Sequence, residues 1–589
     1  MKDLFYRGRF ILLAAIAGLL FGASYADAAK CELSPKKIDS MKRSYQRDAS
    51  NADWLFSRTQ EQGYYARLRP KMVEVDGKKK KVWTFEPNDP NLKAFKQIVR
   101  KQPEKLNSEL PYRGVAELGD KKYAFLLDAA PEADGQGYGL LYFDLNGNGD
   151  LTDDGGPIES EQTRKARERL EAEKKKAEEE KKAKAIAEED GEKTSDKKDE
   201  NKTKPKKKKT SSRIRATYSY RGSSRHQFPP VDLKIEVGGK KVDYRFFFSA
   251  YSYLRSSSGY LNAWLNAGTY YEGQIELNGR KQRIVLVDYN SNGRFDDRTT
   301  INEVHRGPKG PARYYPERGD IMFLDPKPVR GSSRLRDMSS LDFRHDIEKL
   351  LRIDENYFDL KVAAAGDAVS IEPTEVAMGY VTSPNAKYDV TLHGELGLLT
   401  ISGEANQPVA VPEGEWKLVR CAIDLTESEA IKAEKKEEER KKAEEKKADE
   451  KEAAKAKPDD PEASAMLEAI KKALAKRKAK NPSTASARRS VRRSKRFIST
   501  ATGTTLGKPI TVAKGKTIVL PFGPPYRPVV EPSYYYKSRD SLYLGLEIYG
   551  SGGEVLTGLT VNSGRPPKPR FRILGPDDEV VIQGHFGYG

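Results

Sequence analysis

Apolar and polar residues alternate along most of the chain outside two charged segments. The alternation is clearest in residues 270–293, YYEGQIELNGRKQRIVLVDYNSNG, where two alternating runs flank Asn278 and Gly279. An Asn-Gly pair between such runs is the strongest short-range signal for a β-hairpin. Residues 111–128, PYRGVAELGDKKYAFLLD, follow the same outline, with an extra apolar run, YGLLYFD, before the next acidic loop. The chain therefore contains a weak internal repeat of a hairpin followed by an acidic loop.

Short apolar runs punctuated by Gly, Pro, Asn and Asp continue from residue 357 towards the C-terminus. This spacing is typical of β-sandwiches. Residues 339–353, SSLDFRHDIEKLLRI, instead predict a helix. The overall pattern predicts a mainly β, multi-domain protein of short-stranded sheets and β-sandwiches. Two long charged insertions, helical or disordered, interrupt it.

Shifts in composition divide the chain of 589 residues into four predicted parts. They are a signal peptide (1–28), a β-rich domain with two acidic loops (29–335, with a charged insertion at 160–212), a sandwich-like domain (336–425 plus 497–515, with a charged insertion at 426–496) and a C-terminal β-rich segment (516–589) that could belong to the preceding sandwich. Both insertions lie where loops are expected, because loops tolerate added length at small entropic cost.

The two charged segments carry most of the positive charge. Residues 161–210 hold 19 basic and 14 acidic residues and residues 427–496 hold 23 and 15, so they supply 13 of the 19 excess charges. The first has Glu and Lys/Arg spaced as in an isolated helix, and the second ends in a narrow apolar stripe of Leu467, Ile470 and Leu474. They are either solvated arms or cationic surfaces. We expect an anionic envelope surface or polysaccharide, or another exported protein, as the partner, and no specific nucleic acid.

The N-terminus has the form of a secretory signal peptide. Lys2, Arg7 and Arg9 precede a short apolar stretch, which is followed by small residues and the triplet ADA at 26–28. No later segment approaches the roughly 20 apolar residues that a spanning helix requires. We therefore expect a mature chain that begins near Ala29, is exported to the periplasm or the extracellular medium, and has no transmembrane segment.

The chain has two cysteines, Cys31 and Cys421. An oxidising compartment permits a disulfide between them, but two cysteines in so long a chain do not make a disulfide scaffold. The sequence leaves open whether they pair.

Two acidic loops, DLNGNGDLTDD at 144–154 and DYNSNGRFDD at 288–297, share a calcium-loop pattern. An EF-hand loop binds calcium through positions 1, 3, 5, 7 and 9, bends at a glycine at position 6 and ends with an acidic ligand at position 12. Both loops match positions 1, 3, 5 and 6 and place an apolar residue at position 8, but position 12 is Gly155 or Thr299. The nearest substitutes stand at position 10. The predicted calcium ligands are Asp144, Asn146, Asn148, Asp150, Asp153, Asp288, Asn290, Asn292, Asp296 and Asp297.

The same residue types also build tight turns without any ion. Two copies with the same anchor and the same following carboxylate favour calcium over chance. The hypothesis is stronger for the first loop, because Arg294 and Arg298 oppose a cation in the second. With Asn at positions 3 and 5, we expect weak structural sites with dissociation constants of about 10⁻⁴–10⁻³ M.

Signs of catalysis are weak. The five histidines show no H-x-x-x-H or H-E-x-x-H spacing, and we expect them on the surface or in loops; they are His226, His305, His345, His393 and His585. No G-x-S-x-G nucleophile motif is present. We expect no enzymatic activity, and a hydrolase whose site is not visible in the sequence is the third-ranked alternative.

Several segments are rich in tyrosine, namely YSYRG, RFFFSAYSYLRSSSGY, GTYY, ARYYPE and PSYYYKS. Tyrosine suits half-buried β-strands, which is the simpler interpretation. Aromatic rings with interleaved arginine can also form a platform for a carbohydrate or another ligand. A binding module of this kind is the second hypothesis for the function.

The two loops resemble the EF-hand-like loops of dockerins and thrombospondin type 3 repeats over about ten residues each. The chain outside the insertions resembles large exported β-rich proteins of planctomycete-type bacteria, which combine such loops with the phrases PEGEWKL, LPFGPPY and GHFGYG. PEGEW is also similar to the edge hairpin of transthyretin-like sandwiches. The resemblance implies no particular activity. Our leading hypothesis is a non-enzymatic exported envelope or extracellular structural or interaction protein that binds structural calcium.

Overall fold

The chain is mainly β, as the sequence predicted, with many small sheets and two helices among the described residues. The structure is a computed structural model. It describes residues 29–39, 56, 59–75, 78–86, 89–130, 137–189, 222–254, 258–306, 310–327, 343–425, 497–532, 544–562 and 564–587. Two compact units are present, unit 1 (Met1–Thr300 and Glu317–Glu375) and unit 2 (Ile301–Pro316 and Val376–Gly589).

Unit 1 holds both helices and most of the strands. The helices are α1 (Pro90–Ile98) and α2 (Glu161–Glu189). The strands are β1 (Ala29–Glu32), β2 (Ser34–Lys37), β3 (Gln62–Val75), β4 (Lys78–Phe85), β5 (Tyr112–Leu118), β6 (Lys121–Asp128), β7 (Leu140–Phe143), β8 (Ile158–Glu159), β9 (Gly222–Gln227), β10 (Val231–Val237), β11 (Lys240–Leu254), β12 (Gly259–Ala267), β13 (Thr269–Leu277), β14 (Arg280–Val287), β17 (Ile321–Leu324), β18 (Arg344–Asp346), β19 (Leu350–Ile353), β20 (Asn356–Val362) and β21 (Ala368–Pro373).

Two pairs of sheets in unit 1 each share a hydrophobic core. A six-stranded sheet, in the order β10-β11-β12-β3-β4 with β9 beside β11, packs on the four-stranded sheet β5-β6-β7-β8. A five-stranded sheet, β18-β17-β14-β13-β2, packs on the four-stranded sheet β1-β21-β20-β19. Apolar and polar residues alternate along these strands, and successive side chains point to opposite faces of a sheet. The apolar residues therefore collect on one face of each sheet, which packs against the apolar face of its partner.

Both predicted hairpins are confirmed, and they place the two acidic loops. In β13-β14, Leu277 pairs with Arg280, and Asn278 and Gly279 adopt positive φ angles of 52° and 70°. This is the two-residue turn that an Asn-Gly pair favours. The hairpin β5-β6 turns at Gly119, and the predicted extra strand is β7. The first acidic loop follows β7, and the second follows β14.

The helix predictions succeed only in part. The first charged segment is helical over α2, as predicted, and its side chains are mostly exposed. The helix predicted at residues 339–353 is wrong, because this segment contributes β18 and β19, which pair with β17 and β20. Helix α1 was missed, although Asp89 caps it and Pro90 begins it. Cap and proline are a recognised start signal.

Unit 2 is built mainly from short antiparallel strands. They are β15 (Thr300–His305), β16 (Ala312–Glu317), β22 (Met378–Thr382), β23 (Lys387–Gly394), β24 (Gly397–Glu404), β25 (Val409–Pro412), β26 (Gly414–Asp424), β27 (Phe497–Thr502), β28 (Ile510–Val512), β29 (Thr517–Val519), β30 (Arg527–Pro532), β31 (Leu544–Tyr549), β32 (Val555–Val561), β33 (Arg570–Leu574) and β34 (Val580–His585). The largest sheet has eight strands, in the order β24-β23-β26-β27-β32-β31-β30 with β28 beside β26. One pair, β22 and β29, is parallel.

The boundary between unit 1 and unit 2 differs from the domain boundary that the sequence predicted. The sequence placed it after residue 335, whereas unit 1 extends to Glu375, because β19, β20 and β21 form one sheet with β1. Strands from the predicted C-terminal segment 516–589 share the eight-stranded sheet with β26 and β27. Within the described residues, no helix combines the length and the apolar character needed to cross a membrane.

Several predictions fall outside the described residues. They are the signal peptide, the whole of the second charged segment with its apolar stripe, residues 190–212 of the first, and the tyrosine-rich segments YSYRG and most of PSYYYKS. The ends of the second insertion are described: β26 and β27 are antiparallel neighbours, and the N–H of Leu425 donates to the carbonyl of Phe497 at 2.7 Å.

Candidate metal centres

The first acidic loop folds its polar side chains towards one another. Asp144 is buried, and its carboxylate accepts the N–H groups of Asn148 and Gly149, each at 3.0 Å. Asp153 accepts the side-chain amides of Asn146 at 3.3 Å and Asn148 at 2.7 Å. The structure therefore brings together positions 1, 3, 5 and 10.

The second loop repeats this arrangement. Asp288 is buried and accepts the N–H groups of Asn292 at 3.1 Å and Gly293 at 2.6 Å. Asp297 accepts the amides of Asn290 at 3.0 Å and Asn292 at 2.6 Å. The two loops thus share one hydrogen-bond scheme as well as one sequence pattern.

The glycine at position 6 is required in each loop. Gly149 and Gly293 have φ angles of 80° and 82°, which side chains other than glycine rarely adopt. A Cβ at Gly149 would lie 2.3 Å from the carbonyl of Ile98, and one at Gly293 would lie 2.6 Å from the side chain of Ile235. At both positions, any other residue would strain the backbone and its Cβ would also collide with a neighbouring group.

Position 8 anchors each loop, as the sequence predicted. Leu151 and Phe295 are both buried. The N–H of Leu151 donates to the carbonyl of Lys101, and the N–H of Phe295 donates to the carbonyl of Ala364, each at 3.0 Å. Each loop is thereby fixed to a distant part of unit 1.

Two carboxylates that the predicted ligand set did not include complete the clusters. Asp154 follows Asp153 directly, and its Oδ2 is buried without a hydrogen-bond partner among the described residues. Asp320 precedes β17, and its carboxylate accepts the N–H groups of Tyr289 and Asp297, each at 2.9 Å. Asp154 could have been found by allowing position 11 as a ligand. Asp320 carries only a weak signal, an acidic residue directly before the apolar run IMFL.

The electrostatics of both clusters favour a cation. Burial, with the nearby carboxylates of Asp144 and Asp153, raises the pKa of Asp154 to about 6. Burial raises the pKa of Asp288 to about 7, despite hydrogen bonds that include one from the Tyr244 hydroxyl. Burial and the charges of Asp288 and Asp297 raise the pKa of Asp320 well above its usual range. A cation beside such carboxylates stabilises their ionised forms.

Asp150 and Asp296 direct their side chains away from the clusters. This bears on the prediction for Asp296 but not on that for Asp150, because position 7 of an EF-hand loop binds through its backbone carbonyl. Asp150 accepts from Thr152 and lies 3.6 Å from the ammonium of Lys101. Asp296 pairs with Arg294 through two contacts of 3.0 Å. Arg294 also contacts Asp120 at 2.9 Å, so its guanidinium is held by two carboxylates outside the cluster. The objection that Arg294 opposes a cation is correspondingly weaker.

The donor set fits calcium better than a softer metal. No group of three or more His, Cys, Asp or Glu side chains in the described part of the chain is positioned to hold a metal ion by itself, and this includes the carboxylates of both loops. An ion in either loop would therefore need Asn amide oxygens and backbone carbonyls as further ligands, an oxygen-rich set that suits calcium. The buried Oδ1 of Asn290, without a hydrogen-bond partner among the described residues, is one oxygen available to an ion.

Among the described residues, a buried Ser-His pair comes closest to a catalytic arrangement. Ser160 Oγ lies 2.9 Å from His226 Nδ1. However, Ser160 is fully buried, and its Oγ also accepts the N–H of Thr163 at 3.1 Å, which caps α2. A nucleophile must reach its substrate, so this pair is better explained as a helix cap.

The other possible features of an active site are limited. All five histidines lie in strands rather than loops. His305 and His585 are exposed, as expected for surface histidines, whereas His226 is buried, and burial lowers the pKa of the half-buried His345 to about 4. A surface groove of about 550 Å³ lies beside β1, β20 and β21, and the one carboxylate among its lining residues is Glu32. Cys31 and Cys421 are both free thiols, and burial raises the pKa of Cys421 to about 12.

The comparisons with known proteins returned nothing similar. No family model matches the chain, and neither a curated protein nor a solved structure resembles it.

Proposed function

We propose that the protein is an exported, non-enzymatic envelope or extracellular protein in which the two acidic loops hold structural calcium ions. The observation that carries the proposal is the shared geometry of the loops, each with a buried aspartate at position 1, two asparagines and a second aspartate turned towards one another. The secretory form of the N-terminus supports an exported location, where calcium is abundant enough for weak sites.

Each site would draw on residues that the fold already holds in place. The first ion would be bound by Asp144, Asn146, Asn148 and Asp153, with Asp154 beside them. The Oδ1 atoms of Asn146 and Asn148 accept the N–H groups of Asn148 and Asp150, and each amide oxygen has a second lone pair that an ion could use. The N–H groups of Asn148 and Gly149 fix the carboxylate of Asp144, so little side-chain freedom is lost on binding.

The second ion would be bound by Asp288, Asn290, Asn292, Asp297 and Asp320. Asp320 lies on the segment before β17, so this ion would tie the loop after β14 to a second part of unit 1. Calcium in both places would stiffen the fold rather than take part in a reaction. The Asn residues of the first loop are exposed, whereas those of the second are partly buried. The second site should therefore release its ion more slowly.

Calcium titration tests the proposal. We expect the melting temperature of the mature chain to rise between chelator and 10 mM calcium. Sites with dissociation constants of about 10⁻⁴–10⁻³ M would each stabilise the fold by about 1.4–2.7 kcal/mol at that concentration. Equilibrium dialysis should give two bound calcium ions per chain.

The variants Asp144→Ala and Asp288→Ala separate the two sites. Each should lose one bound ion and part of the thermal response, and the double variant should lose both. Because Asp288 is buried, Asn290→Ala provides a milder change in the second loop. A wild-type chain that binds no calcium and melts at the same temperature at millimolar concentrations would refute the proposal.

A further inference from the structure

The outer face of the six-stranded sheet in unit 1 carries a cluster of tyrosines. One face of this sheet packs into the core through residues such as Tyr64, Ala66 and Leu261. Side chains alternate along a strand, so the neighbours of these residues point away from the core. We name the outward group the tyrosine face; it comprises Tyr65, Tyr251, Tyr253 and Tyr260 with Arg67, Arg225 and Asn262.

The strand register places these residues in two adjacent rows. In one row Tyr253 pairs with Tyr260, which pairs with Arg67. In the next row Arg225 pairs with Tyr251, Tyr251 pairs with Asn262, and Asn262 pairs with Tyr65. The face therefore interleaves aromatic rings with groups that donate hydrogen bonds.

The rings form a continuous surface around Tyr260. Its ring centroid lies 5.3 Å from that of Tyr253, 6.0 Å from that of Tyr251 and 6.2 Å from that of Tyr65. Tyr65 is 55% exposed. Large aromatic side chains at such positions usually find a partner, because their burial contributes substantially to binding.

The charge of the face is positive. Arg67 and Arg225 are exposed, and within the described residues neither guanidinium forms an ion pair. Arg69, on the same side of β3, is neutralised by Glu86 at 2.6 Å. Arg67 and Arg225 thus flank the rings with uncompensated positive charge, which favours an anionic ligand.

The opposite end of the same face is closed. Asn266, further along β12, is buried, and its amide points towards Thr59 at 3.4–3.5 Å. The face is therefore open over the tyrosines and the residues between them, and it closes beyond the half-buried Trp264. In two other tyrosine-rich segments, GTYY and ARYYPE, Tyr270, Tyr271 and Tyr314 are buried, and only Tyr315 is exposed.

We infer that the tyrosine face binds an anionic polysaccharide, one whose sugar rings carry carboxylate groups. Sugar rings would stack on Tyr65 and Tyr260, and the carboxylates would pair with Arg67 and Arg225. Asn262, between Tyr251 and Tyr65, would donate to or accept from hydroxyl groups. The inference is independent of calcium, because the face and the acidic loops share no residue.

Affinity electrophoresis of the mature chain in polygalacturonate, with dextran as the neutral comparison, tests the inference. We expect polygalacturonate to retard the chain and dextran to have little effect. Tyr65→Ala and Tyr260→Ala should each weaken binding about five- to tenfold, which corresponds to about 1–1.4 kcal/mol. Tyr65→Phe should keep most of the affinity, because it keeps the ring. Arg67→Gln combined with Arg225→Gln should weaken binding further.

The charged insertions require a matched control, because they could attract any polyanion. Arg488→Gln combined with Arg489→Gln removes the same charge from the second insertion and should reduce binding at low salt only. At 0.3 M salt, where exposed charges are largely screened, the dependence on Tyr65 should remain. Three results would overturn the inference: equal retardation by dextran, binding unaffected by both tyrosine variants, or a self-association of the chain that the tyrosine variants abolish.

Discussion

Each acidic loop is completed by a carboxylate that lies outside the EF-hand spacing. Asp154 is the last residue of its loop, whereas Asp320 is 23 residues from Asp297 along the chain. The clustering of Asp288, Asp297 and Asp320 has a cost, because like charges close together destabilise one another. A bound cation would offset this repulsion, and that makes Asp320 the most informative residue to change.

Asp320→Asn should remove the calcium response of the second loop. The background should carry Asp144→Ala, so that only the second loop reports. In chelator the substitution should destabilise unit 1 by about 1–3 kcal/mol at most, since one backbone N–H loses its acceptor while the charge repulsion is relieved. In calcium the rise in melting temperature should be lost. The measurement is thermal unfolding at matched calcium concentrations.

Asp296→Asn is the matched control, since it also removes one negative charge, within the second loop, at a side chain that contacts Arg294 instead of the cluster. It should keep the calcium response. Equal responses in the two variants would show that Asp320 acts only as an acceptor for the N–H groups of Tyr289 and Asp297.

At the scale of elements, the sequence predicted the features that depend on residues close together in the chain. The Asn278-Gly279 turn, the alternating strands and the anchors Leu151 and Phe295 all follow from neighbouring residues. The segment 339–353 was misread because its apolar residues recur every four positions. The structure instead forms two strands there. β18 pairs with β17, which comes earlier in the chain, whereas β19 pairs with the adjacent β20 across a tight turn in which Asp354 has a positive φ of 53°. Asp320 was missed for a different reason, because contacts between residues far apart in the chain leave little trace in a single sequence.

Helix α2 gives a prediction of this local kind. Ser160→Ala should destabilise unit 1 by about 1–3 kcal/mol, because the N–H of Thr163 loses its cap and His226 loses a buried partner. Urea unfolding followed by circular dichroism measures the change. Ser223→Ala, at an exposed position of β9, should shift stability by less than about 0.5 kcal/mol. If the two variants were equally stable, the cap would have no energetic role.

At the scale of the whole molecule, the second charged insertion interrupts a hairpin that is complete without it. Leu425 and Phe497 are hydrogen bonded, and Asp424 pairs with Ile498. We expect replacement of residues 426–496 by Asn-Gly to leave the melting temperature of unit 2 unchanged or raised, because a two-residue turn closes the strands at a smaller entropic cost. Differential scanning calorimetry of the full and shortened chains measures this. The shortened chain should also bind polyanions more weakly at low salt, because the more basic of the two charged segments is gone, while it keeps the part that depends on Tyr65. A large fall in melting temperature would mean that the insertion packs on the folded units, and it would contradict the view that the insertion is an enlarged loop.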